Sequence, residues 1–116
     1  MAKELLVKNW KIIFQGSLYR NLSYCQATEL MLKKASMFVL SSNFEGMSNA
    51  LIEAMCLGLP CISTKVSGST DLINDGANGL LIDLDDREQL FNAMKRIIED
   101  EEFALSLGME ATKIYS

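Results

Sequence analysis

Histidine is absent from all 116 residues. A chain without it has no Ser-His-Asp triad, no imidazole general base and no common zinc-ligand set. Proline occurs once and glycine seven times, which is too few for a low-complexity or collagen-like chain. The purely apolar runs are only a few residues long, as in Met37-Phe38-Val39-Leu40, whereas a membrane helix needs about 20. No long apolar stretch follows Met1-Ala2-Lys3-Glu4, so no signal peptide is expected there. Cysteine is scarce and odd in number, with Cys25, Cys56 and Cys61 in no CxxC spacing. They read as small buried residues in a reducing cytoplasm rather than disulfide partners or metal ligands. No basic stripe is interleaved with aromatics, so nucleic acid is not an expected partner.

Apolar residues make up 49% of the chain and charged residues 22%, in a mass of 12.9 kDa. That composition suits one globular domain over residues 1–116. The net charge of -4 is unevenly spread. Residues 1–42 hold six Lys/Arg against two Asp/Glu, and residues 43–116 hold five against thirteen. The acids gather at Asp83, Asp85, Asp86 and Glu88 and at Glu99-Asp100-Glu101-Glu102. Acids at a helix C-terminus oppose the helix dipole, so a helix is expected to stop or bend near Glu99.

Short apolar runs alternate with amphipathic runs of helix length. Ile12-Ile13-Phe14, closed by Gly16, predicts a strand. Tyr24 to Ala35 predicts a helix with Ala27, Leu30, Met31 and Ala35 on one face. Strands follow at Met37–Leu40, Cys61–Thr64 and Leu80–Ile82. Asn49 to Leu57 predicts a helix stopped by Gly58 and Pro60. A short helix is expected around Ser69 to Ile73. Asp85 is the expected cap of a helix with Glu88 at its third position, and Leu90, Phe91, Met94, Ile97 and Ile98 form its apolar stripe. A last helix is expected over Phe103 to Ile114. Strands apolar on both faces, separated by helices, specify an α/β fold with a Rossmann-like parallel sheet flanked by helices. In such sheets ligands bind beyond the carboxyl ends of the strands.

The chemistry concentrates between Leu40 and Met55. A strand ends, a polar loop carries Glu45 and Gly46, and a helix begins after Ser48, a good N-cap. Free amides of the first turn, near Ser48 to Leu51, suit an anionic group such as a diphosphate. Carboxylates at Glu45 and, eight residues on, Glu53 would accept hydrogen bonds from vicinal hydroxyls of a sugar or ribose. The bland alternative is two surface acids flanking a helix start.

The wording of the stretch bears on that choice. Ser42-x-x-Glu45-Gly46-x-Ser48-x-x-Leu51-x-Glu53-Ala54-Met55-x-x-Gly58-x-Pro60 resembles the donor-binding motif of glycosyltransferase family 4. These are the group 1 glycosyltransferases, which are retaining enzymes of the GT-B fold. Phe14-Gln15-Gly16, Met37 to Ser42, Ser67-Gly68, Leu72-Ile73, Asp75-Gly76 and Asn78-Gly79-Leu80-Leu81 match further segments in order, so the resemblance covers residues 10–107. It is nearest to members that build capsular, exopolysaccharide or lipopolysaccharide glycans. The resemblance implies a catalytic role for Glu45 at the donor sugar, with the amides of Met47 and Ser48 beside it. Gly46 would allow close approach, Asn49 and Ala50 would hold the diphosphate, and Glu53 would bind the ribose hydroxyls. It implies a nucleotide-sugar donor, with a UDP-sugar the first choice, no cofactor and no metal.

The same resemblance implies a larger whole. Family members carry the donor on the second of two Rossmann-like domains, and this chain matches the truncated C-terminal half. The N-terminal acceptor domain and the Arg/Lys pair that neutralises the diphosphate have no counterpart. Lys65 and Arg20 follow strands but not at the matching positions. The chain is therefore expected to transfer no sugar alone. Of the family's strand order 3-2-1-4-5-6 it would keep strands 3 to 6. Strand Ile12–Gln15 is thus expected either to move beside Met37–Leu40 or to pair across a homodimer through the exposed edge. A cytoplasmic place is expected, peripheral to the inner membrane face in the full enzyme. Other readings are a sugar-nucleotide epimerase, disfavoured by the absence of His, and a non-catalytic nucleotide-sugar-binding or interaction module of doubly wound fold. A phospho-receiver would need an acceptor Asp at a strand end, which Leu40-Ser41-Ser42 does not provide.

Overall fold

The computed structural model describes residues 2–7, 10–16, 36–41 and 49–115. Among the described residues, five strands form one sheet in the order β1 (Ala2–Val7), β2 (Trp10–Gly16), β3 (Met37–Ser41), β4 (Cys61–Thr64) and β5 (Leu80–Ile82). β2 to β5 run parallel, and β1 lies antiparallel on the outer side of β2. Ile12 sits opposite Met37 and Gly16 opposite Ser41, so β2 has taken the place beside β3. Its other edge is not open, because β1 pairs along it from Ala2↔Gln15 to Val7↔Trp10. That first strand was not expected from the sequence. The helix expected over Tyr24 to Ala35 lies outside the described residues.

Parallel strands are buried on both faces, and here they divide the core in two. Phe38, Leu40 and Cys61 pack on one face with helix α1 (Asn49–Cys56). Met37, Val39, Ile62, Leu80 and Ile82 pack on the other with α3 (Arg87–Glu99) and α4 (Glu101–Ala111). Between β4 and β5 lies a single turn of helix, α2 (Ser67–Thr70). It begins two residues earlier than expected, and Asp71 and Leu72 continue it only as a turn.

The capping of α3 corrects the sequence reading. Asp86, not Asp85, is the N-cap, and its carboxylate accepts from the Gln89 amide at 2.9 Å. Asp85 instead sits at φ 58°, a left-handed turn position that short polar residues tolerate. Phe91 also departs from the predicted stripe, being 63% exposed, while Ala93 and Ile97 are buried. Leu90, Met94 and Ile98 flank them. The helix ends at Glu99, as its acids demand. Asp100 closes α3 through its own N–H to Arg96 and opens α4 by accepting from the Phe103 N–H at 3.0 Å. Glu101 and Glu102 then lie in the first turn of α4, where the dipole favours them. The last predicted helix thus starts two residues early, and Thr112–Tyr115 continue as a 3-10 turn.

α4 joins the two cores. Ala104 and Leu107 pack on the α3 face, whereas Ala111 and Ile114 pack with α1. Crossing between them requires close approach of backbones. A Cβ at Gly108 would collide with the Gly58 carbonyl, so only glycine fits without movement.

Candidate functional site

α1 starts beyond the carboxyl end of β3 and packs against β3 and β4. It buries Ala50, Leu51, Ala54 and Met55 and exposes Asn49, Glu53 and Cys56. The far end is fixed by Gly58 at φ +80°. The Leu59 N–H bonds the Ala54 carbonyl at 3.1 Å and the Gly58 N–H bonds the Met55 carbonyl at 3.0 Å. This double bond pattern closes helices on a left-handed glycine. Its neighbour Gly108 holds that turn from the side. The helix is thus anchored at its C-terminus and presents its N-terminal amides at the edge where ligands bind in parallel sheets.

Of the predicted site residues, Glu45, Gly46, Met47 and Ser48 lie outside the described residues. Asn49 is the exposed first residue of α1, Ala50 is buried one position on, and Glu53 lies one turn along on the exposed side. Among the described residues no ion pair engages the Glu53 carboxylate. Cys56 is exposed, contrary to the expectation that the cysteines are buried. Cys61 meets that expectation. Its thiol donates to the Leu59 carbonyl at 3.3 Å, and full burial pushes its pKa up, so it is an inert core group.

The carboxyl ends of β4 and β5 hold polar groups that the motif did not announce. Ser63 and Ser69 are buried with their hydroxyl oxygens 2.6 Å apart, tying α2 to β4. Lys65 meets Asp83 at 3.0 Å. Gln89 grips Asp83 twice, accepting from its N–H and donating to its carboxylate, each at 2.7 Å. The Lys65 ammonium, then the Gln89 amide, hold the Asp83 carboxyl below its ordinary pKa. Asp83 in turn raises that of Lys65, and Asp75 adds to it. Both side chains are about half exposed. The elements were legible, but the pairing of Lys65 with Asp83 depends on β4 lying beside β5 and has no local signal.

Asp75-Gly76 and Asn78-Gly79 prove to be architectural. The Asn78 side-chain oxygen Oδ1 accepts from the Asn74 N–H, and its side-chain amide Nδ2 donates to the Leu72 carbonyl. Asp75 accepts from the Leu81 N–H at 3.0 Å, and Gly76 turns at φ +85°. These bonds deliver the chain into β5. Among the described residues no group of three or more acidic or cysteine side chains could hold a metal, and no helix is long and apolar enough to cross a membrane.

The model of the glycosyl transferases group 1 family matches residues 2–100. A UDP-Gal:alpha-D-GlcNAc-diphosphoundecaprenol alpha-1,3-galactosyltransferase of Escherichia coli is 33% identical over 107 residues, covering 78% of this chain and 28% of that protein. A lipopolysaccharide core biosynthesis glycosyltransferase of Rhizobium meliloti is 32% identical over 81 residues, covering 70% of this chain and 24% of its own length. The chain therefore spans about a quarter of these relatives. An Anabaena protein solved in complex with UDP-glucose superposes with a TM-score of 0.69 at 24% identity, over 72% of this chain and 23% of that one. The shared architecture is a parallel sheet with flanking helices, and the structural neighbours are GT-B glycosyltransferases. With the family model matched across most of its length, the chain belongs to the group 1 glycosyltransferases.

Proposed function

We propose that this chain carries the nucleotide-sugar donor site of a retaining glycosyltransferase that builds a bacterial surface glycan. Its acceptor would be a glycan or a lipid-linked saccharide at the cytoplasmic membrane face. The observation that carries the reading is α1, which starts at the carboxyl edge of a parallel sheet and exposes Glu53 one turn later within the donor motif. The first-turn amides at Asn49 and Ala50 would bind the diphosphate. Glu53 would accept from the ribose hydroxyls. Glu45 would contact the sugar and support positive charge as the glycosyl bond breaks, with Gly46, Met47 and Ser48 lining the approach. A UDP-sugar is the proposed donor, in keeping with the UDP-galactose donor named for the Escherichia coli relative and the UDP-glucose bound to the Anabaena protein.

Charge-assisted bonds to a carboxylate contribute roughly 1.5–3 kcal/mol each, so Glu53→Ala should weaken nucleotide binding by roughly 10- to 150-fold. The test is a ligand-observed NMR titration with UDP, UDP-sugars, GDP-sugars and ADP-sugars on the protein and on Glu53→Ala. Saturable binding of one nucleotide class that fades in the variant supports the reading. Absence of binding to every nucleotide overturns it for this chain. The acceptor domain would be supplied by further polypeptide, and the chain by itself is proposed not to transfer sugar. Turnover of a UDP-sugar by the purified chain would refute that part. Pairing of a second copy along an outer strand of the sheet is a further proposal, checked by light scattering.

A further inference from the structure

Asn78-Gly79 is the sequence's only Asn-Gly pair. With no side chain on Gly79, its backbone nitrogen is the least hindered nucleophile that a main chain can offer to the preceding asparagine. In an unrestrained chain this nitrogen gives its proton to hydroxide and bonds to the Asn78 Cγ. The Cγ–Nδ2 bond breaks, and Nδ2 leaves as ammonia with a proton from water. A second water opens the resulting succinimide at either carbonyl, giving aspartate or isoaspartate. The reaction needs no reagent but water. In the folded protein both partners are held. Asn78 Oδ1 accepts from the Asn74 N–H at 2.7 Å, and Nδ2 donates to the Leu72 carbonyl at 3.1 Å. Gly79 is buried, and a Cβ there would lie 3.1 Å from the Ile73 Cγ2 and 3.3 Å from the Cys61 carbonyl. Its own carbonyl accepts from the Gly76 N–H at 2.8 Å. A side chain clamped at both ends resists the rotation that ring closure requires.

We propose that Asn78 is a site of spontaneous deamidation gated by the turn before β5: the residue is spared while the turn is closed and converted when it opens. The turn is placed to open locally. β5 has three residues and is the outermost strand of the described sheet, paired on one side by β4. Short edge elements lie at the low end of local stability. A further latch is the Asp75 carboxylate, which accepts from the Leu81 N–H across the turn. Conversion is irreversible, so the turn keeps a record of its own opening. It also damages what the turn holds. Aspartate at this position would set a carboxylate oxygen against the Leu72 carbonyl in place of a donor, leaving that carbonyl unsatisfied. Isoaspartate would lengthen the main chain by one carbon directly before Gly79, where Ile73 and Cys61 leave no slack. Either product should disturb the pairing of Ile62 with Leu80 through Thr64 with Ile82, and with it the Lys65–Asp83 contact beyond the strand.

The test follows conversion at Asn78 by peptide mass mapping during incubation at mildly alkaline pH, in buffer and in urea. The proteins are the unaltered chain, Asp75→Ala and Leu107→Ala, with amide spectra showing that each is folded in buffer. The unaltered chain should convert at least about tenfold more slowly in buffer than in urea, the protection of a locally closed turn. Asp75→Ala should convert faster in buffer and match the unaltered chain in urea. Leu107→Ala weakens the opposite face of the sheet and should leave the rate in buffer unchanged. Asn78→Asp, made directly, should lose amide-exchange protection at Leu81. No conversion at Asn78 in urea overturns the site. Equal rates in buffer and in urea overturn the gate. Equal acceleration by Leu107→Ala and Asp75→Ala also overturns it, since conversion would then follow unfolding of the whole chain rather than opening of the turn.

Discussion

The two faces of the sheet are built to different rules. The face under α3 and α4 is a continuous apolar layer from Ile12 through Val39, Ile62 and Ile82 to Ile97 and Leu107. The face under α1 is apolar near Phe38, Leu51 and Met55. Towards the carboxyl edge, strand ends and connections carry the buried Ser63–Ser69 hydroxyl pair, Lys65 and Asp83. One face is given over to burial, whereas the carboxyl edge carries a buried hydroxyl pair and a half-exposed ion pair. The difference teaches that burial dominates one face while the proposed donor site lies along the edge of the other, and Gly108 against Gly58 is one of the places where the two meet.

That separation can be broken deliberately. Leu107→Ala removes a fully buried side chain from the apolar face and should lower the unfolding free energy by about 2–5 kcal/mol. Urea titration measures this. Nucleotide affinity of the protein that remains folded should stay unchanged, and a parallel fall in affinity would show that the faces are coupled. Gly108→Ala strikes a junction between the faces, because the new methyl group meets the Gly58 carbonyl. A loss of about 1–3 kcal/mol is expected from overpacking, here together with weakened nucleotide binding as α1 shifts. Binding left intact would place the junction outside the site. The smallest expected effect concerns Asp83. Its folded pKa is depressed by Lys65 and Gln89, so its contribution to stability is present above its unfolded pKa. That contribution is lost as pH falls through the folded value. The Lys65 pKa is raised, so the lysine's contribution is present below its unfolded value and lost as pH rises through the folded one. The pair therefore acts across the neutral range. Carboxyl NMR titration should find the Asp83 midpoint moved upward in Lys65→Met.

Much of this organisation is legible in the residues themselves. Met37–Leu40 is apolar at every position because a central parallel strand is covered twice. Gly58 and Pro60 end α1 through a left-handed position and a missing N–H. Other features escaped for identifiable reasons. Asp85 and Asp86 are chemically alike as caps, and only the turn geometry chooses between them. Phe91 matches the stripe by hydrophobicity, but Ala93 is the residue turned inward, and its small side chain carries little hydrophobic signal. Ala2–Val7 shows no strict alternation, and its pairing depends on β2 presenting an edge. Gly108 looks like an unfavourable helix residue until Gly58 is brought against it. Lys65 and Asp83 are eighteen residues apart and become neighbours only through the sheet. Glu53 is visible by its motif spacing, and the fold adds that it faces outward.

The crossing of α4 from one core to the other has a consequence for how the molecule opens. Ala104 and Leu107 belong to one layer, Ala111 and Ile114 to the other, on one uninterrupted length of chain. Neither layer can loosen fully without pulling on that length. Amide protons of α1 and α3 should therefore exchange with solvent in a single concerted event rather than two. Cleavage between Leu107 and Ala111 would divide that event, leaving the layer beneath α1 to fluctuate by itself.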